Sequence, residues 1–527
     1  MRFKAFTEFL IPAAYFCVAL AGQVPRANGV PGGVLAKRLS SRDLAAAVTT
    51  NSSSPTVGKL RITSENSSIC ETTPGVYQAA GYGDIATNKS MWFWFFEARS
   101  NPSTAPLVLW FNGGPGSSSM LGLFQENGPC RITNDSSSVT LNPYSWNNNA
   151  NVMYIDQPIG VGFSYGVTTV GTSEEAAADV WTFLQIWLQD SRFTTYQGRD
   201  LVVSTESYGG HYGPTFASYF LSQNEAIANG SVSGLDLNLK VLTIGDGLTD
   251  PITQYPQYIV FAGNNSYHPL VNSSVIEQAN TSYTQSGGCE DQIIACNNNG
   301  SNAICSGAQN FCNNYILEPL AGNYDVYYIL AENPDPYPPD LTSYLAGIQS
   351  TIGAAVTWAE TNDTVYANFS STGDWMRTSK PDLESVIDSG IRVLIYDGDA
   401  DYILNHDGVE AMINSLNTTS SALYAQQQFS PFVVNGTEAG LIKNADNFTF
   451  VLIYGAGHEV PAYKYGNLSY GQAASQMFEL AISGVVNGTD PGNGTITKSS
   501  SAVRFGSSIL LSSLSFFLAV FSAFTLL

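Results

Sequence analysis

The sequence is poor in charged residues, and basic ones are the scarcest. Its 527 residues include 21 lysines and arginines against 43 aspartates and glutamates, which gives a formal net charge of −22 at pH 7. Such a chain lacks the basic surface that binds phosphate backbones or anionic lipid headgroups, so nucleic acids and anionic membrane surfaces are excluded as partners. The excess of carboxyl groups suits an acidic medium, in which they are partly neutralised.

Cysteine is also rare, and its spacing argues against zinc. One of the seven, Cys17, lies in an N-terminal apolar run that we interpret as removed. The other six contain no Cys-X-X-Cys pair, and no histidine lies among the four clustered ones, so disulfides are favoured over a metal site. Three disulfides are expected in an oxidising compartment, formed by Cys70, Cys130, Cys289, Cys296, Cys305 and Cys312.

Long apolar runs occur near the two ends of the chain. Arg2 and Lys4 precede the apolar stretch 9–21, which predicts a signal peptide over residues 1–21; a membrane anchor is the alternative. Residues 22–55 are interpreted as a leader, which could be a propeptide.

At the C-terminal end, a Ser/Thr/Gly-rich spacer (486–508) precedes an apolar tail (509–527). This order is typical of a tail that is removed when a glycosylphosphatidylinositol (GPI) anchor is added. A plain carboxy-terminal membrane helix is the alternative, although no basic cluster follows the run. The expected location is the outer face of the plasma membrane or the cell wall, with membrane contact through the lipid only.

Asn-X-Ser/Thr sequons are numerous, which supports passage through the secretory pathway. The predicted glycosylation sites are Asn51, Asn66, Asn88, Asn134, Asn229, Asn264, Asn272, Asn280, Asn299, Asn362, Asn368, Asn417, Asn435, Asn447, Asn467, Asn487 and Asn493.

Short apolar runs alternate with helical patterns, as in a parallel sheet covered by helices on both faces. The predicted strands are Leu107–Phe111, Val152–Ile155, Leu201–Val203, Val241–Ile244, Val393–Tyr396 and Phe450–Tyr454. A capping box of Thr172 and Glu175 predicts a crossover helix after the second of them. The alternation fails over 255–379, so the predicted core (56–254 and 380–485) carries an inserted cap.

Ser207 is the candidate nucleophile. It lies in Glu206-Ser207-Tyr208-Gly209-Gly210, directly after the third apolar run, on a tight strand-to-helix turn that makes its hydroxyl project. A hydroxyl becomes reactive only beside a base, an orienting acid and donors for the oxyanion.

With only four histidines in the chain, the choice of base is narrow. His458 follows the last predicted strand and is expected to be the base, because ligand crevices lie at the carboxyl ends of parallel strands. His211 lies one turn beyond the serine and is expected to be a packing residue, whereas His268 lies in the insertion and His406 follows the aspartate loop.

Three aspartates, Asp397, Asp399 and Asp401, follow the fifth predicted strand. They resemble the start of a calcium loop, but the sixth and twelfth positions are Tyr402 and Gly408 instead of glycine and glutamate. Asp401 is the predicted orienting acid, with Asp399 as the second choice and a turn residue otherwise. The order Ser, Asp, His is that of α/β-hydrolases.

A glycine-rich loop follows the first predicted strand. Its glycines let backbone amides approach a bound carbonyl, and the amides of Gly114 and Tyr208 are the candidate oxyanion hole. A phosphate-binding loop is the alternative, but neither a P-loop lysine nor the G-X-G-X-X-G spacing is present.

Five motifs together resemble the serine carboxypeptidases of the α/β-hydrolase superfamily, in the form of a secreted, fungal-type, GPI-anchored member. They are Trp110-Phe111-Asn112-Gly113-Gly114-Pro115-Gly116, Glu126-Asn127-Gly128-Pro129, 154–165, Glu206-Ser207-Tyr208-Gly209-Gly210 and Gly457-His458 with Val460-Pro461. The resemblance implies removal of single C-terminal residues from peptides at acid pH, without cofactor or metal. It also implies that Asn112, Glu126 and Glu206 hold the carboxylate of the substrate.

The resemblance further suggests the disulfides Cys289 with Cys312, Cys296 with Cys305 and Cys70 with Cys130. Three features depart from the family pattern: Thr205 replaces the first glycine of G-X-S-X-G, Ser117 stands where many members have a cysteine, and the anchor signal is absent from vacuolar and most secreted relatives.

An anion site built from acids can work only if a carboxyl is protonated, so we expect Glu126 and Glu206 to share a proton. Two ordinary buried acids held by backbone amides are the alternative. For the whole chain, the alternatives to an exopeptidase are an acyltransferase or esterase on the same scaffold, or a catalytically silent surface glycoprotein.

Overall fold

A computed structural model describes residues 56–484. The predicted signal peptide, leader, spacer and tail, together with the sequons at Asn51, Asn487 and Asn493, lie outside these residues. Within the described part, no helix is both long and apolar enough to cross a membrane.

A twelve-stranded mixed sheet forms the centre of the described chain, in the order β1-β2-β3-β7-β4-β9-β10-β11-β14-β13-β12, with β8 paired to β3. A separate hairpin joins β5 and β6. The strands are β1 Lys59–Glu65, β2 Gln78–Ala86, β3 Lys89–Phe96, β4 Leu107–Phe111, β5 Cys130–Ile132, β6 Val139–Leu141, β7 Asn151–Ile155, β8 Tyr165–Gly166, β9 Leu201–Glu206, β10 Leu239–Gly245, β11 Arg392–Gly398, β12 Ser430–Val434, β13 Thr437–Ala445 and β14 Phe448–Ile453.

The six predicted strands are the six parallel ones. They lie side by side as β7-β4-β9-β10-β11-β14, and β4, β7, β9 and β14 are buried along their whole length. Antiparallel strands, which the sequence analysis did not predict, extend the sheet at both edges. The predicted α/β class with a mostly parallel sheet is thus confirmed.

Thirteen α-helices are found in the described residues. They are α1 Ser173–Gln189, α2 Gly209–Ala228, α3 Pro251–Gly263, α4 Ser273–Thr284, α5 Cys289–Asn297, α6 Asn302–Cys312, α7 Glu318–Ala321, α8 Thr342–Ile352, α9 Asp363–Thr372, α10 Lys380–Asp388, α11 His406–Asn414, α12 Ser421–Gln426 and α13 Gln472–Ser483. A five-residue π-helical turn spans Gly122–Glu126.

The predicted crossover helix is α1. The Thr172 hydroxyl accepts a hydrogen bond from the Glu175 amide at 3.2 Å, and the Glu175 carboxylate accepts one from the Gly171 amide at 2.9 Å. The second bond reaches one residue further back than in a standard capping box, but it satisfies the same kind of free amide.

Helices cover both faces of the sheet. Alternate side chains of β3 enter two different cores: Phe93 packs against α1, whereas Trp92 lies in the core with α8 and α13. In that second core Trp146 stacks on Phe478 of α13, with ring centroids 4.1 Å apart. Burial on both faces leaves the ends of the parallel strands as the place where polar groups can gather.

The segment that joins β10 to β11 contains α3 to α10, and the predicted cap (255–379) ends directly before α10. The predicted start at residue 255 falls inside α3, which begins at Pro251. The structure contains the three disulfides that the resemblance suggested: Cys289–Cys312 and Cys296–Cys305 join α5 and α6, and Cys70–Cys130 ties the chain before β2 to β5.

Candidate active site

Ser207 lies on the turn between β9 and α2, in a left-handed backbone conformation with φ 67°. This conformation is costly for a residue other than glycine and is typical of functional turns. The Ser207 amide donates to Gly245 O at 3.0 Å, which ties the turn to the end of β10. The hydroxyl therefore stands at the carboxyl edge of the sheet, as predicted.

Thr205 occupies the place of the first motif glycine without displacing the helix. Its side chain is fully buried, and its hydroxyl donates to Gly209 O at 2.9 Å. Cβ atoms on Gly209 and Gly213 would lie 2.5 and 2.8 Å from the threonine side chain. Room for the extra atoms thus comes from two glycines on the facing helix.

His458 and Asp401 meet across neighbouring loops. His458 Nδ1 donates to Asp401 Oδ2 at 2.8 Å, and the Asp401 carboxylate also accepts from the amides of Ile403 and Leu404 at 3.0 and 3.3 Å. Burial raises the pKa of Asp401, and the imidazole opposes this rise. Because a carboxylate can only accept, the hydrogen of this pair lies on Nδ1, which leaves Nε2 as the ring nitrogen that can take a proton.

A small cavity of about 50 Å³ is lined by Ser207 and His458. Within the described chain, His458 Nε2 is buried and has no hydrogen-bond partner. The nitrogen that would accept a proton is therefore unengaged, on a ring that shares this cavity with the serine. The structure thus brings the three predicted triad residues to one site.

The residues considered as alternatives to His458 and Asp401 make other contacts. Both ring nitrogens of His211 lie within 2.8 Å of backbone oxygens and its ring stacks on Tyr208, so it packs as expected. His268 lies against Ile329 O. The Asp399 carboxylate accepts hydrogen bonds from the Tyr267 hydroxyl and the Gly455 amide, so it stabilises a turn.

The candidate oxyanion donors lie beside the nucleophile. Gly114 has φ 108°, and Gly113 and Gly114 both line the cavity. A Cβ on Gly113 would lie 2.3 Å from the Tyr208 amide nitrogen, so the glycine loop approaches that amide closely. Within the described residues, neither the Gly114 amide nor the Tyr208 amide donates a backbone hydrogen bond. Ser117, another departure from the family pattern, pairs with Thr361 of the insertion.

Asn112 lies between the two glutamates of the predicted carboxylate site. Its side-chain nitrogen donates to Glu126 Oε1 and Glu206 Oε1, each at 3.0 Å. Its oxygen accepts from Trp110 Nε1 at 2.7 Å and the Gly122 amide at 2.9 Å, which defines the orientation of the amide. The three residues are therefore one hydrogen-bonded unit.

Both glutamates are buried, and neither forms an ion pair with a residue in the described range 56–484. Burial raises the pKa of Glu126, and burial together with the Glu126 carboxyl raises that of Glu206 well above its ordinary value. The second oxygen of each carboxyl has no partner in the described part of the chain. Glu206 and Asn112 line the cavity, whereas Glu126 does not.

Sequence reasoning missed three acids here. Glu459 follows His458, lines the cavity and has a buried oxygen without a partner among the described residues. Asp246 and Asp397 are fully buried at the ends of β10 and β11. The rule that selected Asp401 and His458, which takes polar residues that follow a buried strand, could have found them.

One group of potential ligand atoms lies at the site. Atoms of Asp246, Asp401 and His458 come within 4.8 Å of one another. Because His458 Nδ1 and Asp401 Oδ2 already hydrogen-bond each other, we assign this group to hydrogen bonding and not to metal binding.

A family model described as serine carboxypeptidase (peptidase S10) matches residues 69–484. The chain belongs to the serine carboxypeptidase family. It is 46% identical to Carboxypeptidase S1 of Penicillium janthinellum over 405 residues, which cover 76% of this chain and 95% of that protein. It is 36% identical to Carboxypeptidase S1 homolog A of Arthroderma otae, over 77% of this chain and 74% of that protein.

Among solved structures, a prohormone-processing carboxypeptidase of Saccharomyces cerevisiae superposes with a TM-score of 0.64 at 24% identity, and covers 78% of this chain and 92% of that one. This likeness confirms the α/β-hydrolase fold. Family membership confirms the prediction of a serine-type carboxypeptidase that acts on peptides through their C-terminal end.

Proposed function

We propose that Ser207, His458 and Asp401 are the catalytic triad of this carboxypeptidase. The Ser207 hydroxyl attacks the last peptide carbonyl while His458 Nε2 takes its proton. When the tetrahedral intermediate collapses, the peptide C–N bond breaks and the leaving amine receives that proton. Water then cleaves the acyl-enzyme by the same route, with Asp401 orienting the imidazole throughout.

This proposal rests on the hydrogen bonding of the two ring nitrogens of His458. Nδ1 is held by Asp401, and Nε2 is unengaged on a ring that lines the same cavity as Ser207. Burying a nitrogen without a hydrogen-bond partner destabilises the folded state, and such unpaired groups are typical of catalytic sites. The amides of Gly114 and Tyr208 are proposed to hold the oxyanion.

The proposed site for the terminal carboxylate of the substrate is the unit of Asn112, Glu126 and Glu206. Because Asn112 already donates to both glutamates, the new hydrogen bond to the substrate would come from a protonated Glu206, which lines the cavity. A raised pKa keeps that proton at acid pH. We therefore propose an acid enzyme that requires a free C-terminus.

The test compares a blocked dipeptide with its amidated twin, from acid to neutral pH, using wild type and Ser207→Ala. Release of one terminal residue from the free acid alone, and by wild type alone, is the expected result. Hydrolysis of the amidated peptide at the same rate would contradict the carboxylate site. Activity of Ser207→Ala would contradict the nucleophile. Transfer of the acyl group to an added alcohol in preference to water would favour the acyltransferase alternative.

We also propose that the enzyme is a glycoprotein held at the cell surface by a GPI anchor. The terminal segments that motivate this proposal lie outside the described residues, and the support is the order of spacer and apolar tail. Phosphatidylinositol-specific phospholipase C should release the activity from intact cells. A chain ending at residue 508 should be secreted, and retention of that chain on cells would contradict the proposal.

The sequons differ in their surroundings. Eleven have an exposed asparagine, and these are the sites we propose to carry glycans: Asn66, Asn88, Asn134, Asn229, Asn264, Asn272, Asn280, Asn299, Asn417, Asn435 and Asn467. Three half-buried ones, Asn362, Asn368 and Asn447, donate their side-chain nitrogen to backbone oxygens of the fold. A glycan replaces one of the two hydrogens on that nitrogen, so it would break one of the two bonds of Asn447 and would have to fit beside the half-buried bonds of Asn362 and Asn368; these three sites are therefore less favoured.

A further inference from the structure

Two aspartates without a role in the proposed mechanism lie beside the triad. Asp246 directly follows β10 and Asp397 is the sixth residue of β11, and both are fully buried. In the parallel register of these strands Gly245 pairs with Tyr396, and the Asp246 amide donates to Tyr396 O at 2.8 Å. Asp246 and Asp397 therefore follow the last paired position on adjacent strands.

Asp246 connects the two loops that carry the triad acid and base. Its Oδ1 accepts from the Gly398 amide at 2.9 Å, and Gly398 O accepts from the Asp401 amide at 3.3 Å. A Cβ on Gly398 would lie 2.4 Å from Gly457 O, directly before His458. One oxygen of Asp246 thus holds the residue at which both loops meet, and Asp246 itself has a left-handed φ of 41°.

The other carboxyl oxygens of the pair are without partners. Asp246 Oδ2 and both oxygens of Asp397 are buried and make no hydrogen bond within residues 56–484. The remaining titratable groups that face the pair from the packed elements are Glu206, Tyr396, Asp401, Glu410, His458 and Glu459. Only His458 among them can become a cation, so burial and the surrounding acids raise the pKa of both aspartates well above the ordinary value.

We propose that Asp246 is a positioning residue of the triad that works in its protonated form, next to Asp397 on the adjacent strand. In this form Asp246 holds Gly398 while Asp401 remains the only negative charge beside the imidazole. Ionised Asp246 would place a second carboxylate within 4.8 Å of Asp401 and His458, where it repels the first. The triad would then lose its geometry as the pH rises. The inference rests on the triad roles proposed above.

The experiment follows the reaction of Ser207 with diisopropyl fluorophosphate on the full chain. This reagent needs the nucleophile and base but carries no carboxylate, so its rate does not depend on carboxylate binding at Glu126 and Glu206. Rates are measured from about pH 4 to about pH 8 for wild type, Asp246→Asn and Asp397→Asn. We expect the high-pH loss of wild-type rate to move upward by about one pH unit or more in Asp246→Asn, because an amide cannot ionise. In Asp397→Asn the loss should move downward, because the carboxyl that raises the pKa of Asp246 is gone.

Profiles that coincide with wild type would overturn the proposal, and so would a loss of more than about tenfold for Asp246→Asn at acid pH, since that would mean that the charged form is needed. The matched control is Asp399→Asn, on the same loop, whose carboxyl is held by Tyr267 and Gly455; its profile should follow wild type. Asp246→Ala, which removes the acceptor for Gly398, should be slow at every pH.

Thermal unfolding gives a second readout that does not depend on the triad. When the folded state raises the pKa of an acid, the free energy of unfolding of the protein falls as the pH rises above the ordinary pKa of that acid, until the folded pKa is reached. The melting temperatures of Asp246→Asn and Asp397→Asn should therefore gain on wild type as the pH increases, and a constant difference would overturn the proposal. Failure of Ser207 to react in wild type would refute the triad roles, whereas a normal reaction with unshifted profiles would refute only this inference.

Discussion

Two regions of the molecule bury acids in opposite electrostatic surroundings. At the antiparallel edge, Asp84 of β2 binds Arg61 of β1 through two hydrogen bonds of 2.7 and 2.8 Å, and Glu71 binds Arg99 at 2.8 Å. Burial acts to raise the pKa of both acids, but hydrogen bonds from Arg61 and Ser90 hold the pKa of Asp84 below the ordinary value. Hydrogen bonds from Asn147 and Thr73, together with the charge of Arg99, do the same for Glu71.

At the cavity, Glu126 and Glu206 face one side-chain amide and each other, and their pKa values are raised by burial. The edge therefore uses carboxylates that must stay charged, whereas the site uses carboxyls that must keep a proton. The protein thus contains acids whose charged form stabilises the fold as pH rises, and acids at the cavity that lose their hydrogen-bond donor as pH rises.

The largest effect should come from breaking the buried pair at the edge. Arg61→Met leaves the Asp84 carboxylate buried without its cation, which should lower the free energy of unfolding by about 3–5 kcal/mol at neutral pH. Urea denaturation measures it. The matched control is Arg192→Met, whose bridge to Asp190 is exposed and should be worth under about 1 kcal/mol. Equal losses in the two variants would contradict the contrast.

The next effect concerns substrate binding at the cavity. In wild type, KM for a free-acid peptide should rise by about tenfold to a hundredfold between acid and neutral pH, because ionised glutamates no longer donate and repel the substrate. In the double variant Glu126→Gln, Glu206→Gln, the amides always donate, so KM should change little with pH. Unchanged neutral-pH binding of free-carboxylate substrates relative to wild type would refute the shared proton.

A variant with the opposite pH dependence is Glu71→Gln. Since the folded pKa of Glu71 is lowered, its contribution is present above its ordinary pKa and is lost as pH falls through the folded pKa. The variant should lose about 2 kcal/mol of unfolding free energy at neutral pH and progressively less in acid. Urea titrations at several pH values test this, and a loss that persists at the lowest pH would count against it.

The smallest effect should come from Thr205→Gly, which changes packing and not charge. The substitution leaves a small void against Gly209 and Gly213 and adds backbone freedom, at a cost of about 1 kcal/mol. Because no titrating group is involved, the loss should be the same at every pH at which the protein folds. A pH-dependent loss would show that Thr205 acts on the neighbouring acids.

The sequence predicted the parallel strands and the triad for a common reason. A strand buried on both faces is a continuous apolar run, and the residue that follows it stands at the carboxyl edge, as Ser207 does. The antiparallel strands were not predicted, although one of them, β3, is also a continuous apolar run. In β3, Met91 to Phe96 are all buried, so the alternation expected of an antiparallel strand is absent.

Other parts of the site needed three-dimensional placement. Spacing alone did not distinguish Asp399 from Asp401, since which carboxyl meets His458 depends on how the loops pack. Asp246 was not considered, and Asp397 was named only as part of the aspartate loop, because the sequence does not show that the two residues are adjacent across neighbouring strands.

The contact of Thr205 with Gly209 and Gly213 has a consequence for finding such enzymes. The turn that carries Ser207 requires β9 and α2 to approach each other closely. In this chain the strand residue, Thr205, is larger than glycine, and the facing helix residues, Gly209 and Gly213, have no side chain. A search pattern that insists on glycine two positions before the serine would pass over this chain. A pattern that allows the small residue on either partner would retain it.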